Sequence, residues 1–444
     1  MFRPVGQAGP PGQVGPTGQA DTMTSGHRDK MCDVSAYLML LAPSANHVYA
    51  AETATLAAAE LAVTSPDLGA AVERRVAGVD YLAFEADDLD PRKIAAQSSV
   101  LALFERASAP AELPGRASEQ AALFGSEPAA DVPTTSPSEV LLRPIELPRS
   151  DVLDDDLVTI PKYRGKTNEL FTRLLLHVTL SQVTTRRGTA AAGRDAPTGH
   201  DQTRRQFDVL DPLAGRGTTL LTAWTAGHNA YGVELDTSAF EQFAGFLKTY
   251  LRRKRLKHTA EVTTVRRDGR MMGQRLDATA RPGEQTRGHR AVPDAPQLAM
   301  TMFTGDTRDA AVLFGKRKFD AIVTDAPYGV VHGATDARRA SRENGKRGSA
   351  GHPTGHRPGG DRDRSPATLL ADAIPVWAGQ LRAGGALGLS WNTYGLSRED
   401  LAAICTDAGL EVRNDGPWLQ FAHRVDSSIK RDLMVAVKPA RLVS

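Results

Sequence analysis

The sequence predicts an α/β protein, with an open, mainly parallel sheet flanked by helices and a smaller α/β or α+β domain in front of it. Phe207–Asp236, FDVLDPLAGRGTTLLTAWTAGHNAYGVELD, reads as strand, glycine turn, helix, strand, the unit from which parallel sheets are built. Phe319–Thr324, FDAIVT, is a further short apolar run, of the kind that suits a strand covered on both faces. Alternating helix and strand signals then continue to the carboxyl end.

Taken in order, residues 1–30 are low in complexity, with Gly6, Gly9, Gly12, Gly15 and Gly18 on a three-residue period. These triplets are too few for a stable triple helix, so the segment is expected to be disordered. Met31 directly precedes the first foldable run, and translation is expected to begin at Met23 or Met31. Residues 31–107 form the small domain: AYLMLLAP and DYLAFEA read as strands, Glu52–Val63 as an alanine-rich helix, and Pro91–Ala107 as a further helix. Residues 108–157 are expected to be linker, because the Ala-, Pro-, Glu- and Ser-rich stretch 108–138 has no sustained period.

Residues 158–444 form the larger domain. Leu170, Leu174 and Val178 share one helical face after the possible caps Thr167 and Asn168. Lys162, Arg164 and Lys166 stand before that helix and are read as a solvated entry to it. Three polar inserts, 184–205, 268–297 and 333–366, lack apolar periodicity and are expected to be flexible. The last of them carries Arg338, Arg339, Arg342, Lys346, Arg347, Arg357, Arg362 and Arg364, a set suited to nucleic-acid backbone. The run Lys248–His258, KTYLRRKRLKH, has more cations than a helix end requires, so phosphate contact is the favoured reading there too. In the tail, Leu369–Leu381 is expected to be helical up to Gly384-Gly385. Ala386–Ser390 is expected to be a strand, and Ser397 to cap the next helix. Trp418–His423 and Leu433–Val437 are expected to be the last two strands.

The chain has 444 residues, of which 41% are hydrophobic and 24% charged, enough to bury at least one large core. No apolar run reaches the length of a membrane span. Cys32 and Cys405 are the two cysteines, which excludes a disulfide framework and a thiolate metal site and fits a cytoplasmic protein.

The chemistry lies at the strand ends. Asp211-Pro212 ends the first strand, Gly215 and Gly217 permit close backbone approach, and Glu234 ends the next strand. A glycine turn opening a helix offers N–H groups to a ligand, and an acid one strand over accepts ribose hydroxyls. Gly217 is followed by Thr218-Thr219 without lysine, and position 220 is Leu220 rather than glycine. Both phosphate-binding fingerprints are thereby disfavoured.

Asp211 to Thr218, in D-P-x-x-G-x-G-T form, resembles the first motif of S-adenosylmethionine-dependent methyltransferases. Asp325-Ala326-Pro327-Tyr328-Gly329 is similar to the D/N-P-P-Y motif of those acting on exocyclic amines, with Ala326 where the pattern most often has proline. The resemblance covers roughly residues 158–440 and is greatest to THUMP-type tRNA (guanine-N2) methyltransferases. It implies a Rossmann-like seven-stranded methyltransferase sheet, S-adenosyl-L-methionine as cofactor without a metal, and an RNA amine as acceptor. Asp325, Ala326, Pro327 and Tyr328 would act on the amine and its base, while Asp211, Gly215, Gly217, Glu234 and Asp306 would hold the cofactor. For Asp306, a helix-capping role stands equally open. His423 is read as structural rather than as part of the pocket. Adenine N6 in DNA is the alternative acceptor, and a catalytically inactive nucleic-acid-binding protein on the same scaffold is the alternative class. The sequence leaves the oligomeric state and the methylated position open.

Overall fold

The computed structural model describes residues 35–44, 47–107, 141–163, 165–184, 205–267, 270–284, 291–327 and 366–440. The amino-terminal unit contains β1 (Ser35–Leu41), α1 (His47–Thr64), β2 (Val72–Val76), β3 (Val79–Ala86), α2 (Pro91–Ala95), β4 (Val100–Ala107) and β5 (Leu141–Ile145). Its sheet runs β2-β3-β1-β4-β5, with every pairing antiparallel. Two expectations are corrected here. The helix starting at Pro91 is a single turn capped by Asp90, after which Val100–Ala107 pairs with β1 as a strand. Part of the expected linker is β5, whose Pro144 sits opposite Phe104 on the sheet edge, where a residue without an N–H is tolerated.

The larger unit begins with α3 (Asp156–Thr159) and α4 (Glu169–Ser181), followed by β6 (Asp208–Asp211), α5 (Thr218–Thr225), β7 (Asn229–Glu234) and α6 (Thr237–Arg253). Strands β8 (His258–Arg267), β9 (Arg270–Ala280) and β10 (Leu298–Thr304) precede α7 (Ala310–Phe314) and β11 (Phe319–Asp325). The chain ends with α8 (Pro366–Gln380), β12 (Leu381–Asn392), α9 (Arg398–Asp407), β13 (Glu411–Arg413), β14 (His423–Arg424) and β15 (Lys430–Val437). Along the sheet the order is β13-β15-β12-β11-β6-β7-β10-β9-β8, with β14 also on β15. The strands from β12 to β10 are parallel, and β15 is antiparallel to β12.

The stretch from β13 to β10 is therefore a Rossmann-like open sheet, and the β8–β9 hairpin lengthens it beyond β10. That hairpin corrects the expectation of an irregular insert over 268–297. Leu276, Ala278 and Ala280 on β9 are buried, whereas most of β8 is exposed, which hides its strand character from any periodicity test. The carboxyl end differs as well: Gly416–Leu419 is a 3-10 turn, and the partners of β15 are β12, β13 and β14. Strand β12 already begins at Leu381, with Gly384 and Gly385 inside a register shift against β11. The expected segments 184–205 and 333–366 fall almost wholly outside the described residues.

Side chains alternate across the sheet as the pleat demands. Val209, Ala321, Val323, Leu433 and Val435 pack with α4, α5 and α6 on one face. Leu210, Ile322, Leu387, Leu389 and Met434 pack with α8 and α9 on the other. Tyr49, Leu56, Ala59 and Val63 of α1 join the first of these cores. No helix among the described residues is long and apolar enough to cross a membrane.

Candidate active site

The parallel strands deliver their carboxyl ends to one edge of the sheet, where open α/β sheets bind ligands. Gly215, Glu234, Leu235, Asp306, Asp325 and Pro327 all line a single cleft there, of about 510 Å³, within the usual range for small-molecule sites. The glycine turn and the Asp325 segment thus open on the same crevice.

Asp211 is the joint between them. It ends β6 almost fully buried. Its carboxylate accepts from the Thr324 hydroxyl at 2.7 Å and from the Leu213 N–H at 3.1 Å. Thr324 immediately precedes Asp325, so one side chain ties the two strand tips together beneath the cleft. Burial pushes Asp211 up to about 6, against the hydrogen bonds that favour its charge. Between pH about 4 and about 6 the unfolded chain ionises this group while the folded chain retains its proton, so stability falls across that window and levels off above it. Asp211→Asn retains an oxygen for Thr324 and Leu213, turns its amide toward the third partner, the Thr219 hydroxyl, which can also accept, and has no charge to bury. We expect thermal or urea denaturation at pH 8 to show it more stable by about 2 kcal/mol, with little difference at pH 3.5; a loss of stability at pH 8 would refute the assignment.

The glycine turn is built by backbone geometry. Gly215 and Gly217 have φ +52 and +79, values a side chain disfavours. A Cβ at Gly217 would collide with the Phe243 ring, whereas one at Gly215 would meet nothing within 4 Å and would enter the cleft. The Gly215 N–H donates to Glu234 Oε2 at 2.6 Å, and the Asp236 N–H donates to Oε1 at 2.7 Å. Burial raises the Glu234 pKa against those two hydrogen bonds. The Leu235 N–H adds a third, weaker bond, which leaves the carboxylate, with its roughly four acceptor sites, capacity for a ligand hydroxyl.

Asp306 caps the 3-10 turn Thr307–Asp309 through the Arg308 N–H. It also receives the Arg308 guanidinium, with Nη2 at 2.7 Å from Oδ2. That hydrogen bond holds its carboxyl below the ordinary range. The capping role left open from sequence is present, and the side chain still borders the cleft.

Asp325, at the tip of β11, accepts from the Thr167 hydroxyl at 2.6 Å and from the Ser390 hydroxyl. Of the two candidate caps before α4, Asn168 does the capping, accepting from the Phe171 N–H, which frees Thr167 for Asp325. Ala326 donates its N–H to the Ser390 carbonyl at 2.8 Å. A proline has no such donor, so a hydrogen bond here restrains the peptide where the more usual residue would use its ring. Tyr328 lies outside the described residues.

Sequence reasoning missed the partners of Asp325, because Thr167, Ser390 and Arg431 lie on three segments far apart in the chain. It also missed the apolar walls: Leu213, Val233, Leu235 and Leu369 border the cleft, and Leu235 is 73% exposed. Lys166 donates to the Val158 and Pro161 carbonyls and to Glu169, so its donors are spent inside the fold. In the basic run, Lys254 pairs with Asp154 and Asp156, and Lys257 pairs with Glu284. The run also ends a 17-residue helix that starts beside Glu234, which places it about 25 Å along the helix from the cleft. His423 is buried, with its Nδ1 at 2.9 Å from the Phe421 carbonyl, in keeping with a structural residue.

The cleft fits S-adenosylmethionine. Glu234 could accept from ribose hydroxyls, Leu235 and Leu213 present apolar surface that a purine could cover, and Gly215 has open space beside it. Among the described residues that line the cleft, the three carboxylates Glu234, Asp306 and Asp325 outnumber the one cation, Arg308, which suits a sulfonium.

No protein-family model matches the chain, and no curated protein does. Among solved structures the chain is similar to TrmN from Thermus thermophilus, at 15% identity and TM-score 0.35, over 91% of this chain and 99% of that one. It is also similar to a TehB-like SAM-dependent methyltransferase from Corynebacterium glutamicum, at 16% identity and TM-score 0.27, over 57% and 92%. Magnesium protoporphyrin IX methyltransferase from Synechocystis, solved with bound SAM, aligns at 14% identity and TM-score 0.28, over 54% and 73%.

Proposed function

We propose that this protein is an S-adenosylmethionine-dependent methyltransferase acting in the cytoplasm on an exocyclic amine of a nucleobase in RNA, with guanine N2 in tRNA as the favoured acceptor. The observation that carries the reading is the shared cleft, which Gly215 and Glu234 line together with Asp325 and Pro327.

An aryl amine is a poor nucleophile because its lone pair is delocalised into the ring. In this reading the Asp325 carboxylate and the Ala326 carbonyl accept the two amine hydrogens and turn the lone pair toward the methyl group. Bound S-adenosylmethionine supplies a methyl already activated as a sulfonium. Thr167 and Ser390 each donate to one Asp325 oxygen and fix the carboxylate at the cleft edge. Tyr328, next along the chain, stacks on the extruded base. The Ala326 N–H bond to Ser390 anchors the peptide between Asp325 and Ala326, which favours a working site over a degenerate scaffold.

Calorimetry with S-adenosylmethionine, then transfer of labelled methyl to unmodified tRNA and to duplex DNA with nucleoside analysis, tests this reading. We expect cofactor binding and N2-methylguanosine in tRNA. Labelled N6-methyladenine in DNA would move the substrate to the alternative acceptor, and absence of cofactor binding would overturn the enzyme assignment.

A further inference from the structure

Behind Asp325 stands a buried cation. Arg431, the second residue of β15, stands opposite Asn392 on β12 and His423 on β14, and it is 5% exposed. Its Nη2 lies 3.7 Å from Asp325 Oδ2, the oxygen that accepts from Thr167. The guanidinium carbon sits 4.8 Å over the Phe171 ring, and His423 packs on Phe171 at 5.1 Å. Tyr49 of α1 closes the group edge-on, 6.1 Å from His423 and 6.4 Å from Phe171. Burial lowers the His423 pKa, and the Arg431 charge lowers it further. The imidazole is neutral at neutral pH, so Arg431 supplies the positive charge in this group.

A solvated arginine would contribute little to a carboxylate so placed. A buried one, fixed over an aromatic face, holds both the charge and the direction of its partner. We propose that Arg431 is a positioning residue for methyl transfer, orienting the Asp325 carboxylate from behind while Thr167 and Ser390 fix its two oxygens. One wall of its aromatic box is Tyr49, so the amino-terminal unit contributes to the scaffold of the active site. This rests on the methyl-transfer reading of Asp325.

The test uses the full chain with Arg431→Gln, Arg431→Lys, Asp325→Asn and the corresponding double variants. For Arg431→Gln we expect kcat to fall about 100-fold, the scale set by misplacing a reacting group. Cofactor Kd and RNA KM should stay within about twofold, and Arg431→Lys should recover part of the lost rate, because it restores the charge but not the planar group stacked on Phe171. A merely structural role would give no such split and no recovery by lysine. Arg431→Gln with near wild-type kcat overturns the inference while leaving the functional reading intact. If the wild type itself transfers no methyl, the functional reading fails. The inference falls with it, because a role in transfer needs transfer, and coupling of the denaturation midpoints between the Arg431 and Asp325 substitutions would then report a structural contact alone. If Arg431→Gln does not fold, Arg431→Lys decides: a fall in kcat with cofactor Kd and RNA KM unchanged supports the inference, and wild-type kcat overturns it.

Discussion

Asp325→Ala abolishes methyl transfer and leaves cofactor binding unchanged: a loss of about 10³-fold or more in kcat is expected, at the upper end for removing one group aimed at the reacting atom. The Asp325 carboxylate borders the cleft at the tip of β11, so its removal takes an acceptor from the amine without disturbing the glycine turn. Asp325→Asn should be less damaging than alanine, because the amide oxygen still accepts one amine hydrogen, in keeping with the D/N alternation of the motif. Single-turnover transfer to tRNA, with calorimetric cofactor binding in parallel, measures both halves. Turnover within tenfold of wild type would remove Asp325 from the mechanism.

Glu60→Ala should unfold or strongly destabilise the junction between the two units. Glu60 lies on α1 with a side chain that is fully buried. It accepts from the Ser98 N–H at 3.0 and 3.1 Å, from the Ser98 hydroxyl at 2.6 Å, and pairs with His177 Nδ1 on α4 at 2.8 Å. Alanine leaves these donors without an acceptor in a dry interior, a loss of about 3–5 kcal/mol. Glu60→Gln keeps one acceptor oxygen and should cost less. Urea denaturation followed by circular dichroism checks this ordering, and a Glu60→Ala cost below about 1 kcal/mol would show that water relieves the junction.

What the sequence showed and what it hid follow one physical division. Strands covered on both faces, such as Val209–Leu210 and Phe319–Thr324, announce themselves because burial forces an apolar run. The glycine turn is legible because positive φ at Gly215 and Gly217 restricts the residue types that fit. Strands at the margins are not. Most of β8 meets solvent, β2 is VERRV and largely exposed, and β5 carries a proline, so none shows the pattern of a covered strand. Val100–Ala107, VLALFERA, passes as well for a helix as for a strand, and its pairing with β1 decides. At the site, residues adjacent in sequence were found and residues adjacent only in space were not. Nothing local marks Ser390 or Arg431 as partners of Asp325, whereas Asp211, Glu234 and Asp325 stand at strand ends where topology concentrates chemistry.

The place of β5 in the chain has a consequence for synthesis and for dissection of the molecule. The outer rim of the small sheet is supplied by residues 141–145, which a ribosome releases only after the whole of 108–140 has emerged. Until then the backbone of β4 presents its unpaired side to whatever is nearby, the condition under which nascent chains associate wrongly. A fragment cut at residue 107 would keep that raw edge permanently, while one carried through residue 147 would seal it.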